Sequence, residues 1–284
     1  MTRDIFQDVP EMLPMRMPAA PAKLRVLGVS RRFEEKSGVV SALDNISMEV
    51  GQGEFLCIVG PSGCGKSTLL NLMAGLDLPS SGEIWLDGRP TDAARDNKLS
   101  VIFQELGLFP WLTVLDNVAF GLKMRNVERA ERIERAREAL KLVHLSRFEK
   151  HFIHQLSGGM RQRVALARSL VLRPDVLFMD EPFAALDAQT RDLMHEELER
   201  IWRETGQTIV FVTHNVREAI RLGDRVLLLT FRPGRVKTEF PIGLPRPRHM
   251  EDPRLALAAR DVLAQLKEEI NKAVDEEYGD AASR

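Results

Sequence analysis

Short apolar runs alternate with longer segments of helical periodicity along most of this chain. The apolar runs are only a few residues long, which is typical of buried strands, and they cover residues 55–59, 176–179, 209–213 and 225–230. Helical periodicity predicts helices over residues 67–76, 158–170, 189–205 and 216–222. Strands that alternate with helices predict an α/β fold with a mainly parallel sheet, in which ligand groups gather at the C-terminal ends of the strands.

Two further regions interrupt this alternation. Antiparallel strands are predicted over residues 24–29, 42–50 and 83–86, with a turn through residues 37–38 between the first two. Residues 114–121 and 129–145 read as two helices. Opposite charges alternate at helical spacing over residues 128–138, which indicates a solvated helix face, and we assign it no function.

The two ends of the chain have different patterns. Residues 1–22 contain four prolines but no basic start followed by an apolar stretch, which favours a flexible extension over a secretory signal. Residues 241–248 read as extended, and the helix predicted after them has Asp252 as its cap and Pro253 in its first turn. The apolar side of that helix comprises Leu255, Val262, Leu266 and Ile270.

Composition restricts the kind of protein this is. The 284 residues are 44% hydrophobic and 29% charged, enough for one large domain or two small ones. Forty basic and 41 acidic residues give a net charge of -1, so no overall field attracts nucleic acid or anionic lipid, and we expect no nucleic-acid partner. No apolar run approaches the roughly 18 to 20 residues that span a bilayer, so any membrane link comes through a partner. Cys57 and Cys64 match no zinc or disulfide pattern and suit a reducing cytosol.

A glycine-rich loop lies between the first predicted core strand and the helix that follows it. It satisfies the pattern G-x-x-x-x-G-K-[ST] in the strand–loop–helix context that this pattern requires. Glycines let backbone amides turn toward phosphate oxygens, Lys66 reaches the terminal phosphates, and Ser67 is a ligand for Mg²⁺. The predicted nucleotide-binding residues are Gly60, Pro61, Ser62, Gly63, Cys64, Gly65, Lys66, Ser67 and Thr68.

Two carboxylates follow the apolar run at residues 176–179. Asp180 suits Mg²⁺, and Glu181 suits the water that attacks a phosphate. Alone, the pattern is equally that of a strand that ends in polar residues. Together with the glycine-rich loop it predicts a phosphoryl-transfer site in which metal and base are separate groups.

Ser157, Gly158 and Gly159 open the helix that precedes this strand. Free amides and the helix dipole at such a start attract an anion, although the same residues also make an ordinary helix N-cap. Their sequence, Leu-Ser-Gly-Gly-Met-Arg-Gln, and their order among the other motifs resemble the signature of ABC ATPases.

The resemblance to ABC ATPases covers about residues 24–270 and implies further roles. Gln104 matches the Q-loop, Asp187 the D-loop, His214 the switch histidine, and Phe33 the aromatic residue that stacks on adenine. Lys66, Glu181, His214 and Gln104 would then serve catalysis, Ser67, Gln104 and Asp180 would hold Mg²⁺, and Asp187 and the Ser157 signature would contact ATP. By themselves, a lone Phe is usually a core residue and a lone His a satisfied polar one.

The family fold is a P-loop NTPase with a RecA-like, mainly parallel sheet, an antiparallel β subdomain and an α-helical signature subdomain. The predicted division is an extension at 1–22, an ABC ATPase domain at 23–243 and a C-terminal extension with one helix at 244–284. The helical subdomain would cover about 105–172. Two residues depart from the family pattern. Ile153 stands where a proline is usual, and Ala184 stands where a glycine is common, but neither position handles phosphate.

The composite site of this family implies partners. The glycine-rich loop of one subunit faces the signature of another, so a second cassette, identical or related, must complete the site. The sequences of residues 105–118 and 180–191 are similar to those of the ATPase subunits of importers of nitrate, sulfonate, taurine and bicarbonate. That likeness implies permease subunits that dock near Gln104–Trp111, an indirect solute-binding protein, and a place on the cytoplasmic face of the inner membrane. The alternative for residues 108–112 is packing within the helical subdomain.

Two rival functions would predict features that this sequence does not have. A soluble ABC ATPase of translation or DNA repair would carry two linked cassettes or a long coiled-coil insertion before the signature, and the sequence has neither. A purely binding protein with a dead site would have lost Lys66, Asp180, Glu181 or His214, and all four are present. An ABC subunit for another class of substrate stays open.

Overall fold

The computed structural model describes residues 22–35, 38–91 and 98–282. The extension predicted for residues 1–22 lies outside the described residues except for its last position, and so does the first residue of the predicted turn at 37–38. The strands are β1 (Ala22–Glu35), β2 (Gly38–Gly51), β3 (Phe55–Val59), β4 (Ser81–Leu86), β5 (Arg89–Pro90), β6 (Leu99–Ile102), β7 (Val176–Asp180), β8 (Thr208–Val212), β9 (Arg225–Leu229) and β10 (Val236–Pro241).

The helices are α1 (Lys66–Met73), α2 (Val114–Met124), α3 (Arg129–Leu142), α4 (Gly158–Leu170), α5 (Ala188–Thr205), α6 (Val216–Leu222) and α7 (Pro253–Ala282), with 3₁₀ turns at Ser146–Phe148 and Ile153–Gln155. None of the helices in the described part of the chain combines the length and the apolar character that crossing a membrane requires.

The larger sheet has the strand order β10-β9-β3-β8-β7-β6. Its strands from β9 to β6 run parallel, and only β10 at the edge is antiparallel. Strand β3 is central and every one of its residues is buried, as parallel sheets covered on both faces require. The C-terminal ends of β3, β7 and β8 therefore lie side by side, and the polar residues that follow them converge.

The smaller sheet, in the order β2-β1-β4-β5, is the predicted antiparallel layer. Alternate residues of β3 face different parts of the core because side chains along a strand alternate between its two faces. Leu56 and Ile58 pack with the antiparallel layer and α1. Phe55 and Cys57 belong to the other apolar cluster, which includes residues of α2 to α7. The larger sheet is thus covered on both faces.

Several element boundaries differ from the sequence prediction for identifiable reasons. The helix predicted over 129–145 ends at Leu142, because His144 adopts a left-handed backbone conformation with φ +56°. The helix predicted over 67–76 ends at Met73, and Gly75 with φ +70° follows its cap. Strands β5, β6 and β10 were missed, since each is short and only partly apolar.

Helix α7 begins at Pro253 as predicted, and Asp252 Oδ1 accepts a hydrogen bond of 2.9 Å from the backbone N–H of Arg254. Leu255, Val262 and Leu266 are buried in the same core cluster as the larger sheet. Ile270, predicted for the same apolar side, is 43% exposed, so the packed part of this side ends before it.

Candidate functional site

The glycine-rich loop joins β3 to α1, and Lys66 is the first residue of that helix. The Lys66 side chain is buried, and its ammonium donates hydrogen bonds to the carbonyl oxygens of Gly60 at 2.9 Å and Pro61 at 2.8 Å. These two bonds hold the ammonium inside the loop. A cation fixed at the N-terminal end of a helix is a strong environment for a phosphate group.

Gly65, immediately before α1, is the position where the loop most needs glycine. Its φ is +96°, a conformation that side chains rarely adopt, and a Cβ added there would lie 2.7 Å from Leu43 Cδ2. The antiparallel layer therefore packs directly against the loop, and β2 fixes its shape.

A cavity of about 400 Å³ opens over this loop. It is lined by Phe33, Val40, Ala42, Ser62, Gly63, Gly65, Lys66, Ser67, Thr68, Glu181 and Arg232. The cavity thus brings six of the nine predicted loop residues together with Phe33 from β1 and Glu181 from the end of β7, whereas Gly60, Pro61 and Cys64 do not line it. The Arg31 guanidinium lies 4.6 Å from the centre of the Phe33 ring, so one face of that ring is already covered.

Asp180 is the last residue of β7 and is half-buried beside the loop. Burial raises the pKa of its carboxyl group, and Glu181 raises it further, whereas a hydrogen bond with Ser67 and the charge of Lys66 lower it. Asp180 Oδ1 is buried without a hydrogen-bond partner among the described residues. An orphaned carboxylate oxygen next to a serine hydroxyl fits a divalent cation with oxygen ligands.

No group of three or more His, Cys, Asp or Glu residues that could hold a metal occurs in the described ranges 22–35, 38–91 and 98–282. Mg²⁺ commonly takes one or two protein ligands together with water and substrate phosphates, and Asp180 beside Ser67 fits that requirement.

Glu181 directly follows β7 and has a positive φ of +43°, which is strained for a residue other than glycine. Its backbone N–H donates to the carbonyl of Val212 at 2.9 Å, and this bond ties the strained residue to the end of β8. Its Oε2 lies 2.9 Å from Nδ1 of His214, whose side chain is well exposed. The ends of two neighbouring strands thus place a carboxylate and an imidazole in hydrogen-bond contact at the cavity.

A buried polar network behind His214 was not predicted from the sequence. The Thr213 hydroxyl donates to Glu218, and Glu218 Oε1 lies 2.6 Å from His195 Nε2. His195 and Glu218 come from α5 and α6, and both side chains are almost fully buried. The network fixes Thr213, the residue next to His214, by contacts with two helices. Its members are far apart in the sequence, so the sequence alone did not predict the network.

The predicted signature residues do not line this cavity. Ser157 caps α4, and its Oγ accepts a hydrogen bond of 3.3 Å from the backbone N–H of Met160. A Cβ on Gly159 would lie 2.8 Å from Thr190 Cγ2 of α5, so the start of α4 packs closely on α5. Asp187 caps α5, and the backbone N–H of Thr190 lowers the pKa of its carboxyl group.

Gln104 follows β6 and is exposed, and it too lies outside the cavity lining. The segment after it is held by two side chains that the sequence did not identify. Asn117 donates to the carbonyl of Phe109 at 3.0 Å and accepts from its N–H at 2.8 Å. Arg168 donates to the carbonyls of Leu106 and Gly107, each at 2.6 Å. Residues 105–112 therefore form a fixed surface.

Trp111 stands out on this surface. Its side chain is 71% exposed, and its ring centre lies 5.5 Å from that of Phe109, which in turn lies 4.5 Å from Phe120. An exposed tryptophan on a rigid support is typical of a residue at a protein interface.

Comparison with known proteins places this architecture in a family. Residues 43–184 match the family described as ABC transporter. A functionally uncharacterized ABC transporter ATP-binding protein of Methanocaldococcus jannaschii is 47% identical over 252 residues, covering 89% of this chain and 94% of the relative. A taurine import ATP-binding protein of Burkholderia thailandensis is 49% identical over 76% of this chain and 82% of its own length. A nitrate import ATP-binding protein of Synechocystis is 49% identical over 78% of this chain and 83% of its own length.

Solved structures agree with this placement. A dimeric ATP-binding cassette in a post-hydrolysis state, bound to ADP and Pi, superimposes with a TM-score of 0.69 at 35% identity, covering 78% of this chain and all of its own. The cbiO1 subunit of an ABC transporter complex from Clostridium perfringens superimposes with a TM-score of 0.70 at 28% identity, over 93% of this chain and 99% of its own. The predicted family and fold class are confirmed. This chain belongs to the ATP-binding proteins of ABC transporters, and it is an ATP hydrolase with the ATP-binding cassette fold.

Proposed function

We propose that this chain is the ATP-binding and ATP-hydrolysing subunit of an importer that takes up a small anion such as nitrate, sulfonate, taurine or bicarbonate. The observation that carries the ATPase part is the cavity in which Lys66, Ser67 and Glu181 converge beside Asp180. The 49% identity to taurine and nitrate import proteins supports the direction of transport and the class of solute.

ATP binds in this cavity, with its phosphates on the amides of the glycine-rich loop and on Lys66 and its adenine against Phe33. Ser67, Asp180 and Gln104 would hold Mg²⁺, which neutralises phosphate charge when it is bound. Asp180 is suited to this because one of its oxygens is buried and unpaired among the described residues. Burial raises the pKa of this carboxyl group, and a bound cation would favour its ionised form.

Glu181 orients and deprotonates the water that attacks the terminal phosphate. The hydrogen bond from its Oε2 to His214 Nδ1 fixes the carboxylate, and the strained backbone at Glu181 sets its direction toward the cavity. His214 is itself exposed, and we propose that it contacts the terminal phosphate when ATP is present.

A second cassette, identical or related, completes the site. Ser157, Gly158 and Gly159 do not line the cavity of their own subunit, and they open α4, where the first backbone amides of a helix lack intrahelical partners. We propose that they contact the ATP held by the partner, with Asp187 beside them at the same interface. ATP then closes a dimer, and hydrolysis opens it.

Permease subunits dock on the surface from Gln104 to Trp111, on the cytoplasmic face of the inner membrane, and a solute-binding protein supplies the solute. Three features of this surface support the proposal. Asn117 and Arg168 hold its backbone in place, and it ends in an exposed tryptophan. It begins at Gln104, which we assign to the cation site. The domains are proposed as predicted: an extension at 1–22, the ATPase domain at 23–243 with its helical subdomain at about 105–172, and a C-terminal extension at 244–284.

Trp111→Ala is expected to separate ATP hydrolysis from transport. Because the side chain is 71% exposed, its removal leaves the fold and the ATPase rate of the isolated subunit within about twofold. Loss of an interface aromatic lowers uptake by about tenfold or more, since such residues contribute about 2 kcal/mol or more to binding. Leu78→Ala removes an equally exposed apolar side chain, 71%, outside this surface and serves as the control. Uptake equal to wild type in Trp111→Ala would contradict the docking proposal.

The transport function is tested with the native complex. The chain is purified from membranes together with its associated subunits, reconstituted into vesicles, and assayed for uptake of labelled taurine, nitrate and bicarbonate with ATP on the side that carries the cassette. We expect uptake of one of these anions that requires both ATP and an intact Lys66. A cassette that co-purifies with no membrane subunit, or with ribosomes, would overturn the transport assignment.

A further inference from the structure

Arg232 lies in the loop between β9 and β10 and contacts the glycine-rich loop directly. Its Nε donates a hydrogen bond of 2.9 Å to the carbonyl of Gly63. A Cβ added at Gly63 would lie 3.1 Å from Arg232 Nη2, so the guanidinium and the loop are in contact. Arg232 also lines the nucleotide cavity together with Lys66 and Glu181. None of the roles assigned above uses this residue.

The terminal nitrogens of Arg232 are available for a ligand. Within residues 22–35, 38–91 and 98–282, the hydrogen bond of the Arg232 side chain uses Nε, and Nη1 and Nη2 form no hydrogen bond or ion pair. The guanidinium fork matches two oxygens of a phosphate. The charged side chains of the cavity lining are Lys66, Arg232 and Glu181, two cations against one carboxylate, and this balance favours a polyanion.

The C-terminal helix holds the loop that carries Arg232. Glu269 of α7 is 1% exposed, and its Oε2 accepts a hydrogen bond of 2.9 Å from the backbone N–H of Phe231, the residue before Arg232. Its Oε1 accepts from Lys237 Nζ at 2.9 Å and from Lys272 Nζ at 2.7 Å. Burial alone would raise the pKa of Glu269, but these three donors outweigh it and lower the pKa to about 2. Glu269 is therefore a fixed, ionised anchor for the loop.

The far side of the same loop is fixed by the antiparallel layer. The backbone N–H of Gly234 donates to the carbonyl of Ala42 at 2.9 Å, and its carbonyl accepts from the N–H of Asp44 at 3.0 Å. A Cβ at Gly234 would overlap the carbonyl of Cys64, so the loop packs on the glycine-rich loop without a gap. The loop that carries the exposed Arg232 is thus held by α7 on one side and by the antiparallel layer on the other.

We propose that Arg232 binds a phosphate group of the nucleotide and that Glu269 is a positioning residue that sets its place, so that the C-terminal helix contributes to nucleotide affinity. This inference rests on the proposed binding of ATP in the same cavity. The guanidinium adds a second cation to Lys66, and the Glu269 hydrogen bond helps to hold it at the cavity by fixing the neighbouring Phe231.

The role of Arg232 is tested by calorimetric titration of the purified full chain with ATP and ADP. Arg232→Gln is expected to weaken ATP affinity by about tenfold, the loss typical of a charge-assisted hydrogen bond, and Arg232→Lys by less, since it keeps the charge. Arg235→Gln is the matched control, because Arg235 lies on the same loop but pairs with Asp44. Equal ATP affinity in Arg232→Gln and Arg235→Gln would overturn the proposal.

The role of Glu269 is tested by a double-mutant cycle in ATP affinity. Glu269→Gln is expected to weaken binding about three- to tenfold in the wild-type background and to have no further effect when combined with Arg232→Gln. Glu268→Gln is the control, since that neighbouring carboxylate binds Lys237 without contacting Phe231. Equal losses in both backgrounds would mean a merely structural role and would overturn the positioning proposal. Glu269→Asp serves the same cycle if Glu269→Gln does not fold.

A Lys66→Ala sample in the same titration separates this inference from the proposed function. If Lys66→Ala loses ATP and Arg232→Gln keeps it, ATP binds as proposed and Arg232 does not contact its phosphates. If Lys66→Ala keeps full affinity, the nucleotide does not lie in this cavity, and the proposed site fails together with the Arg232 assignment.

Discussion

Glu181→Gln is expected to lower ATP turnover by about 10²- to 10⁴-fold, the usual contribution of a general base. Glutamine keeps the length and shape of the side chain but cannot accept the proton of the attacking water. It keeps an oxygen that accepts a hydrogen bond, so the contact with His214 Nδ1, now 2.9 Å from the carboxylate, does not have to be lost. ATP binding should persist because Lys66 and the glycine-rich loop are unchanged.

The same variant should accumulate ATP-bound dimers, because the step that opens the dimer is blocked. Phosphate release gives the turnover number, and size-exclusion chromatography with light scattering gives the mass with and without ATP. Glu204→Gln is the control, since that carboxylate lies on the exposed face of α5 and pairs with Arg200, away from the cavity. Turnover by Glu181→Gln at the wild-type rate would refute the base assignment, and a monomer in the presence of ATP would refute the shared site.

Most of the fold could be predicted from the sequence, because the strands that form the centre of the sheet are short, apolar and separated by helices. Strand β3 is buried at every position, and such runs are recognisable without a structure. Strands β6 and β10 at the sheet edges were missed, since edge strands have mixed polarity and less of their surface is buried. Helix α3 ends before the predicted boundary because His144 adopts a left-handed backbone conformation, and the residue types around it did not predict this conformation.

The candidate site was recognisable in the parts that are contiguous in the chain. The glycine-rich loop and the pair Asp180–Glu181 follow strands, and the C-terminal ends of parallel strands lie together. Contacts between distant segments were not recognisable. Arg232 contacts Gly63, which is 169 positions away in the sequence, and His195 contacts Glu218, which is 23 positions away. Such pairs are determined by how the sheet and helices pack, and a single sequence does not show which arginine or histidine is involved.

Lys66→Ala is expected to weaken ATP binding and to abolish turnover. The ammonium is the cation at the centre of the loop, and its hydrogen bonds to Gly60 and Pro61 show that the loop holds it in one place. A charge-assisted hydrogen bond contributes about 1.5 to 3 kcal/mol, so ATP affinity should fall by about 10- to 100-fold, and turnover should fall further if the same charge stabilises the transition state.

The loss must be separated from damage to the fold, because alanine leaves the Gly60 and Pro61 carbonyls without their donor. Thermal unfolding without nucleotide measures that damage, and we expect a melting temperature within a few degrees of wild type, since the two lost hydrogen bonds each contribute only about 1 kcal/mol net. Lys123→Ala is the control, because that lysine is exposed near the end of α2. If Lys66→Ala folds normally and still binds ATP as tightly as Lys123→Ala, the glycine-rich loop is not the phosphate site. If it fails to bind while Glu181→Gln binds but does not turn over, the two residues act in successive steps, binding first and water activation second.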